Sequence, residues 1–172
     1  FIARFSPTGS RIFSTYYGGT GSDIGNAVAV TAGGWSFVTG STNSAPFPAV
    51  APIQTTAGGS LDAFLMAVSP TGAVAWATPY GGARSERGRA VAVNANGRVV
   101  FAGQTFSPNL PVLRAVQPAT GGNRDTFVVQ LDPPYTAFSY ATYLGGSNND
   151  EGARAAIDAV GRVFVTGAAA YP

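Results

Sequence analysis

The sequence predicts an all-β fold built from repeated four-stranded antiparallel units, and three observations carry that prediction. Landmarks recur at a fixed interval. The pairs Gly18-Gly19, Gly81-Gly82 and Gly145-Gly146 are spaced by 63 and then 64 residues. The endings Val38-Thr39-Gly40, Phe101-Ala102-Gly103 and Val165-Thr166-Gly167 follow the same steps, and Phe1-Ile2-Ala3, Phe64-Leu65-Met66 and Phe127-Val128-Val129 are spaced by 63 and 63. A period found at several independent landmarks marks a repeat architecture. In addition, 23 Gly and 12 Pro lie at turn-like intervals between short runs rich in Val, Phe and Tyr, the pattern of many short strands. Finally, no window of about eleven residues has helical periodicity.

The middle repeat is complete and justifies each element in turn. Phe64-Leu65-Met66-Ala67-Val68 is a short apolar strand led in by Asp62-Ala63. Ser69-Pro70-Thr71-Gly72 is a tight hairpin turn, because Pro presets φ at the second position and Gly suits the last. Ala73 to Tyr80 returns as a second strand carrying Trp76. Gly81 to Gly88 reads as a polar loop, Ala90-Val91-Ala92-Val93 as a third strand and Asn94-Ala95-Asn96-Gly97 as a second tight turn. Arg98 to Gly103 is a fourth strand, and a long Pro-containing connection runs from Gln104 to Arg124. The strands alternate only loosely, which indicates burial on both faces. Four antiparallel strands apolar on both sides fit a blade between neighbouring blades of a β-propeller. A sandwich would not need such self-similarity, and a β-helix repeats at a much shorter period.

The order aromatic–Tyr–x–Gly-Gly, a polar loop with an acid, Gly–x–Ala-Val-Ala-Val, a Gly turn and Val/Phe–Val–Thr-Gly resembles the bacterial SBBP-type β-propeller repeat. Asp-Ala-Phe and Ser-Pro-Thr-Gly fit it as well, and the resemblance covers the whole chain. The third copy departs from it, with Pro133-Pro134-Tyr135 at the Pro–x–Gly turn and Ala156-Ile157 in place of Val-Ala-Val. The resemblance implies a bacterial repeat protein that is secreted or displayed at the cell surface.

By analogy with related propellers, the Ala-Val-Ala-Val strand is the innermost of a blade a-b-c-d. The chain then reads c-d, a-b-c-d, a-b-c-d, a-b: a half blade over 1–19, blades over 20–82 and 83–146, and a half blade over 147–172, about 2.7 repeats in all. A propeller typically has about four to eight blades, so the chain is expected to form an incomplete ring. The expected partners are additional propeller blades or identical chains joined through the unpaired half-blade edges. The sequence begins at Phe1 without Met, consistent with processing or with a piece of a longer protein.

Composition narrows the chemistry. Hydrophobic residues make up 45% of the chain and charged residues 10%, with ten Arg and no Lys. The Arg residues are scattered apart from Arg84, Arg87 and Arg89, unlike the dense patch that nucleic acid binding requires. No run approaches the roughly 20 apolar residues of a membrane helix. With no Cys and no His, disulfides, thiol nucleophiles, His-based triads and His or Cys metal sites are excluded. Ser and Thr lack an evident base to activate them, and the Gly-Gly pairs lack the helix and Lys of a phosphate loop. They read instead as bends at the outer edge.

The polar loops and long connections are expected on one end of the sheets and the tight turns on the other. Binding lives on longer loops, so a carbohydrate or protein ligand is expected at the long-loop end. Asp23, Glu86 and Asp150 share one repeat position, which favours hydrogen bonding to loop N–H groups over a carboxylate ring. The single-copy features are the candidates for binding: Arg84 and Arg87 around Glu86, and Asn148, Asn149 and Glu151 around Asp150. Asn148 to Glu151 offer oxygen ligands for Ca²⁺ but lack the spacing of a Ca²⁺ loop. No acid pair stands out for glycoside hydrolysis. Trp35, Trp76 and Tyr16, Tyr17, Tyr80, Tyr140 and Tyr143 are expected in the core. The sequence thus points to a non-enzymatic binding or scaffolding segment; the alternatives are a subunit of a surface assembly or filament, and a lyase or hydrolase acting at the channel mouth.

Overall fold

The structure, a computed structural model, describes residues 1–56 and 58–170, with the side chain of Ala153 excepted. The last two positions of the 147–172 unit therefore lie outside the described residues. Twelve strands are present among them: β1 (Ile2–Phe5), β2 (Arg11–Thr15), β3 (Asp23–Val30), β4 (Ser36–Thr42), β5 (Asp62–Val68), β6 (Val74–Tyr80), β7 (Glu86–Val93), β8 (Val99–Thr105), β9 (Asp125–Leu131), β10 (Phe138–Leu144), β11 (Asp150–Ile157) and β12 (Val163–Ala169). The described residues form no helix, and so none long and apolar enough to cross a membrane.

The strands group as β1-β2, β3-β4-β5-β6, β7-β8-β9-β10 and β11-β12, antiparallel throughout. This is the grouping the strand phase predicts. The register repeats too: Gly40 faces Phe64 between β4 and β5, and Gly103 faces Phe127 between β8 and β9.

Five tight turns share one construction. Gly9, Gly34, Gly72, Gly97 and Gly161 all have positive φ, a conformation only glycine adopts without steric cost. The sixth is the exception. Tyr135 takes φ +64° at the glycine position, after Pro133-Pro134, and its N–H donates to Asp132 O at 2.9 Å.

The inner strand starts earlier than the sequence suggests. β7 begins at Glu86, where the sequence reads a loop through Gly88. Glu86 N–H donates to Leu61 O at 2.7 Å, and the strand continues through a bulge at Arg89 between Gly88 and Ala90. The polar composition of Glu-Arg-Gly-Arg hides this strand, because its pairing is by backbone. The same bulge interrupts β3 at Asn26, whose side chain donates to Gly88 O of the next sheet at 2.8 Å.

The largest core cluster lies between the two four-stranded sheets. Tyr80 makes ring contacts with Phe101, Phe127 and Phe138 at 5.6, 5.2 and 5.4 Å. Tyr80, Phe101, Phe127 and Tyr143 are almost wholly buried. Burying such a side chain is worth about 1.5–3 kcal/mol, against about 0–1 kcal/mol for an exposed ion pair. Apolar packing between sheets therefore holds the fold. Trp76 is buried as expected, but Trp35 is 40% and Tyr16 88% exposed, so neither belongs to the core.

Candidate functional site

The long-loop end is built from one hydrogen-bond network that recurs with the repeat. The second glycine of each Gly-Gly pair donates its N–H to the acid four residues on: Gly19 to Asp23 at 2.9 Å, Gly82 to Glu86 at 2.8 Å and Gly146 to Asp150 at 2.7 Å. The other Glu86 oxygen accepts from the Thr105 hydroxyl at 2.7 Å. The first glycine donates to a glutamine of the long connection, Gly81 to Gln54 at 3.1 Å and Gly145 to Gln117 at 3.0 Å. Ser44 and Ser107 receive the N–H groups of Gly21 and Arg84 at 3.0 and 2.8 Å. The loops and connections thus meet at one end, as expected.

These contacts explain the glycines differently from a bend. Gly81 and Gly82 have no positive φ. A Cβ on Gly81 would collide with the carboxylates of Asp62 and Glu86, and one on Gly82 with Ser107. Close approach of side chains excludes anything larger.

A second acid stands beside each of the last two. Asp62 accepts from Gly58 and Gly59 N–H at 3.2 and 3.3 Å, and Asp125 from Gly121 N–H at 2.7 Å. Burial pushes the Asp62 carboxyl above its ordinary value; the Gly58 and Gly59 N–H groups oppose this, and the neighbouring Glu86 adds to it. Asp125 Oδ1 is buried with no hydrogen-bond partner among the described residues. Glu86 is wholly buried and Asp150 is 8% exposed, and both carboxylates accept hydrogen bonds from the loops.

The candidate binding residues are spread out. Glu86 and Asp150 turn inward, while Arg84 and Asn149 are exposed and Arg87 and Glu151 half-buried. Arg84 Nη1 donates to Phe106 O at 3.5 Å, and Arg87 pairs with Gln104 across β7–β8. Glu151 reaches Arg124 at 2.5 Å, whose guanidinium stands 6.0 Å from the Phe106 ring centroid. Asp150 and Glu151, adjacent on β11, thus engage different partners, and among the described residues no three carboxylates converge on a metal-sized space. The sequence reading missed Arg124, Phe106, Thr105 and the acid pairing. The pairing had a signal, since Asp62 and Asp125 share a repeat position; the Arg124–Glu151 contact joins residues far apart in sequence and had none.

No family model matches the chain, and no curated protein matches it.

Proposed function

We propose that the chain is a segment of a β-propeller of the SBBP type, with a non-enzymatic binding or scaffolding role outside the bacterial cytoplasm. One observation supports this most: the two–four–four–two grouping of strands, with the same register at β4–β5 and β8–β9. β12 has the repeat position of β4 and β8, and β1 that of β5 and β9. Continuing the register sets Gly167 opposite Phe1, Thr166 opposite Ile2 and Val165 opposite Ala3 of another copy. That pairing turns two short sheets into one of four strands and removes two exposed edges, which are otherwise open to unwanted pairing. Such a head-to-tail contact gives a ring if the rotation closes and a filament if it does not.

The chain has no cysteine, so introduced ones report cleanly. Facing residues of antiparallel strands stand about 4.5–5.5 Å apart, within disulfide reach. Mixing Ala3→Cys with Val165→Cys, and Ile2→Cys with Thr166→Cys, is expected to form disulfide dimers under mild oxidation. The slipped combination Ala3→Cys with Phe164→Cys is not. A folded protein that stays monomeric and gives no in-register cross-link overturns completion by a second copy. A ladder of masses instead of one closed species selects the filament.

A further inference from the structure

A groove with a cavity volume of about 630 Å³ opens between the two four-stranded sheets at the tight-turn end, a size typical of ligand sites. Its walls include Trp35, Phe37, Trp76 and Tyr135, and among the described residues no charged side chain lines it. The groove exists because the repeat is broken here. In the interface on one side, Arg4 of β1 donates to Pro70 O at 3.0 Å and stands against Gly34. In the interface on the other side, Arg98 donates to Val160 O at 3.2 Å and stands against Gly161. Between the four-stranded sheets both arginine positions have changed. Ala67 stands at the repeat position of Arg4, and Trp35 at that of Arg98; both line the groove.

We propose that this groove binds an organic cation of the guanidinium type, the arginine head group of a partner, where the flanking interfaces use arginines of the chain itself. Aromatic faces attract cations through the ring quadrupole. Guanidinium is planar and weakly hydrated, stacks on rings and donates to carbonyl groups such as those that hold Arg4 and Arg98. Tyr135 is built for the wall. Its hydroxyl donates to Gly97 O at 2.6 Å, and its ring centroid lies 5.5 Å from that of Phe37 and 6.1 Å from that of Trp76. The chain holds it at φ +64°, where the equivalent hairpins carry Gly9 and Gly72, a strained conformation for a tyrosine. Trp35, at 40% exposure, forms the accessible rim.

The only two tryptophans of the chain, Trp35 and Trp76, both line the groove, so their fluorescence reads occupancy. Titration with N-acetyl-arginine amide is expected to give a saturable emission change. N-acetyl-citrulline amide, of the same shape without the charge, should bind about 10-fold more weakly. Trp35→Ala, followed by calorimetry, should weaken arginine amide binding by a similar factor. Ala67→Arg, which restores the arginine of the flanking interface, should abolish it. Equal binding of the citrulline amide, a response to glucose alone, or no saturable response overturns the proposal. So does undiminished binding by Trp35→Ala, which keeps the test decisive if Ala67→Arg does not fold.

Discussion

Strands β4 and β12 carry nearly the same sequence and have different fates. Ser-Phe-Val-Thr-Gly-Ser-Thr of β4 is buried at every position, whereas Val-Phe-Val-Thr-Gly-Ala-Ala of β12 is half-buried at best. Phe37 is 3% exposed and its counterpart Phe164 is 57% exposed. The difference is in the neighbours. β4 lies between β3 and β5 with a second sheet on its face, while among the described residues β12 pairs only with β11. Burial in a repeat is a property of the stack, because each unit supplies the surface that covers the next.

Core truncation should break this comparison most strongly. Phe101→Ala, at a wholly buried site between the complete sheets, is expected to cost about 3–5 kcal/mol. Val165→Ala, at the same repeat position in β12, should cost about 1 kcal/mol or less. Denaturant midpoints measure both, and equal costs would mean that β12 is covered in solution.

The repeated acid gives a smaller contrast. Glu86→Ala strands the Gly82 N–H and the Thr105 hydroxyl in a dry site, at about 2–3 kcal/mol. Asp150→Ala frees the N–H of Gly146, which is itself exposed to water, and should cost about 1 kcal/mol. Thermal unfolding of the two variants side by side decides this.

The smallest effect concerns how the last complete sheet holds β11–β12. Arg98 pairs with Asp132 of its own sheet and reaches Val160 O of the next. The Ser139 hydroxyl holds the Asp132 carboxyl below its ordinary value, and Arg98 adds to this. A carboxyl lowered in the folded state contributes stability above its unfolded pKa and loses it as pH falls through its folded value. Asp132→Asn should therefore melt below the wild type at neutral pH, and the gap should close in acid. Asp62 runs the other way: burial raises it, so its contribution is greatest in acid and declines as pH rises through its folded value. An Asp132→Asn gap that persists unchanged at low pH would assign its effect to packing.

Much of this fold can be read from spacing. The turn glycines show themselves by position, because a left-handed residue after Pro-Thr, Asn-Ala-Asn or Ala-Gly has few substitutes. The strand grouping follows from the repeat phase. The start of β7 was hidden, since Glu86 and Arg87 look like loop residues yet pair through their backbones. Asp23, Glu86 and Asp150 were legible as acceptors of loop N–H bonds, but their partners Thr105 and Ser44 were not. Trp35 reads as core from its place in the strand pattern and is a rim residue of the groove, which Ala67 also lines.

Local chemistry in the chain decides where strands begin, where they turn and which positions repeat, because those depend on φ preferences and on side chains a few residues apart. Tertiary structure decides which copies are covered, which acids are sealed from water and where two sheets leave an aromatic groove. Those outcomes depend on surfaces that meet across 60 or more residues, as Arg4 meets Pro70 and Arg98 meets Val160, and no local pattern encodes what will be on the other side.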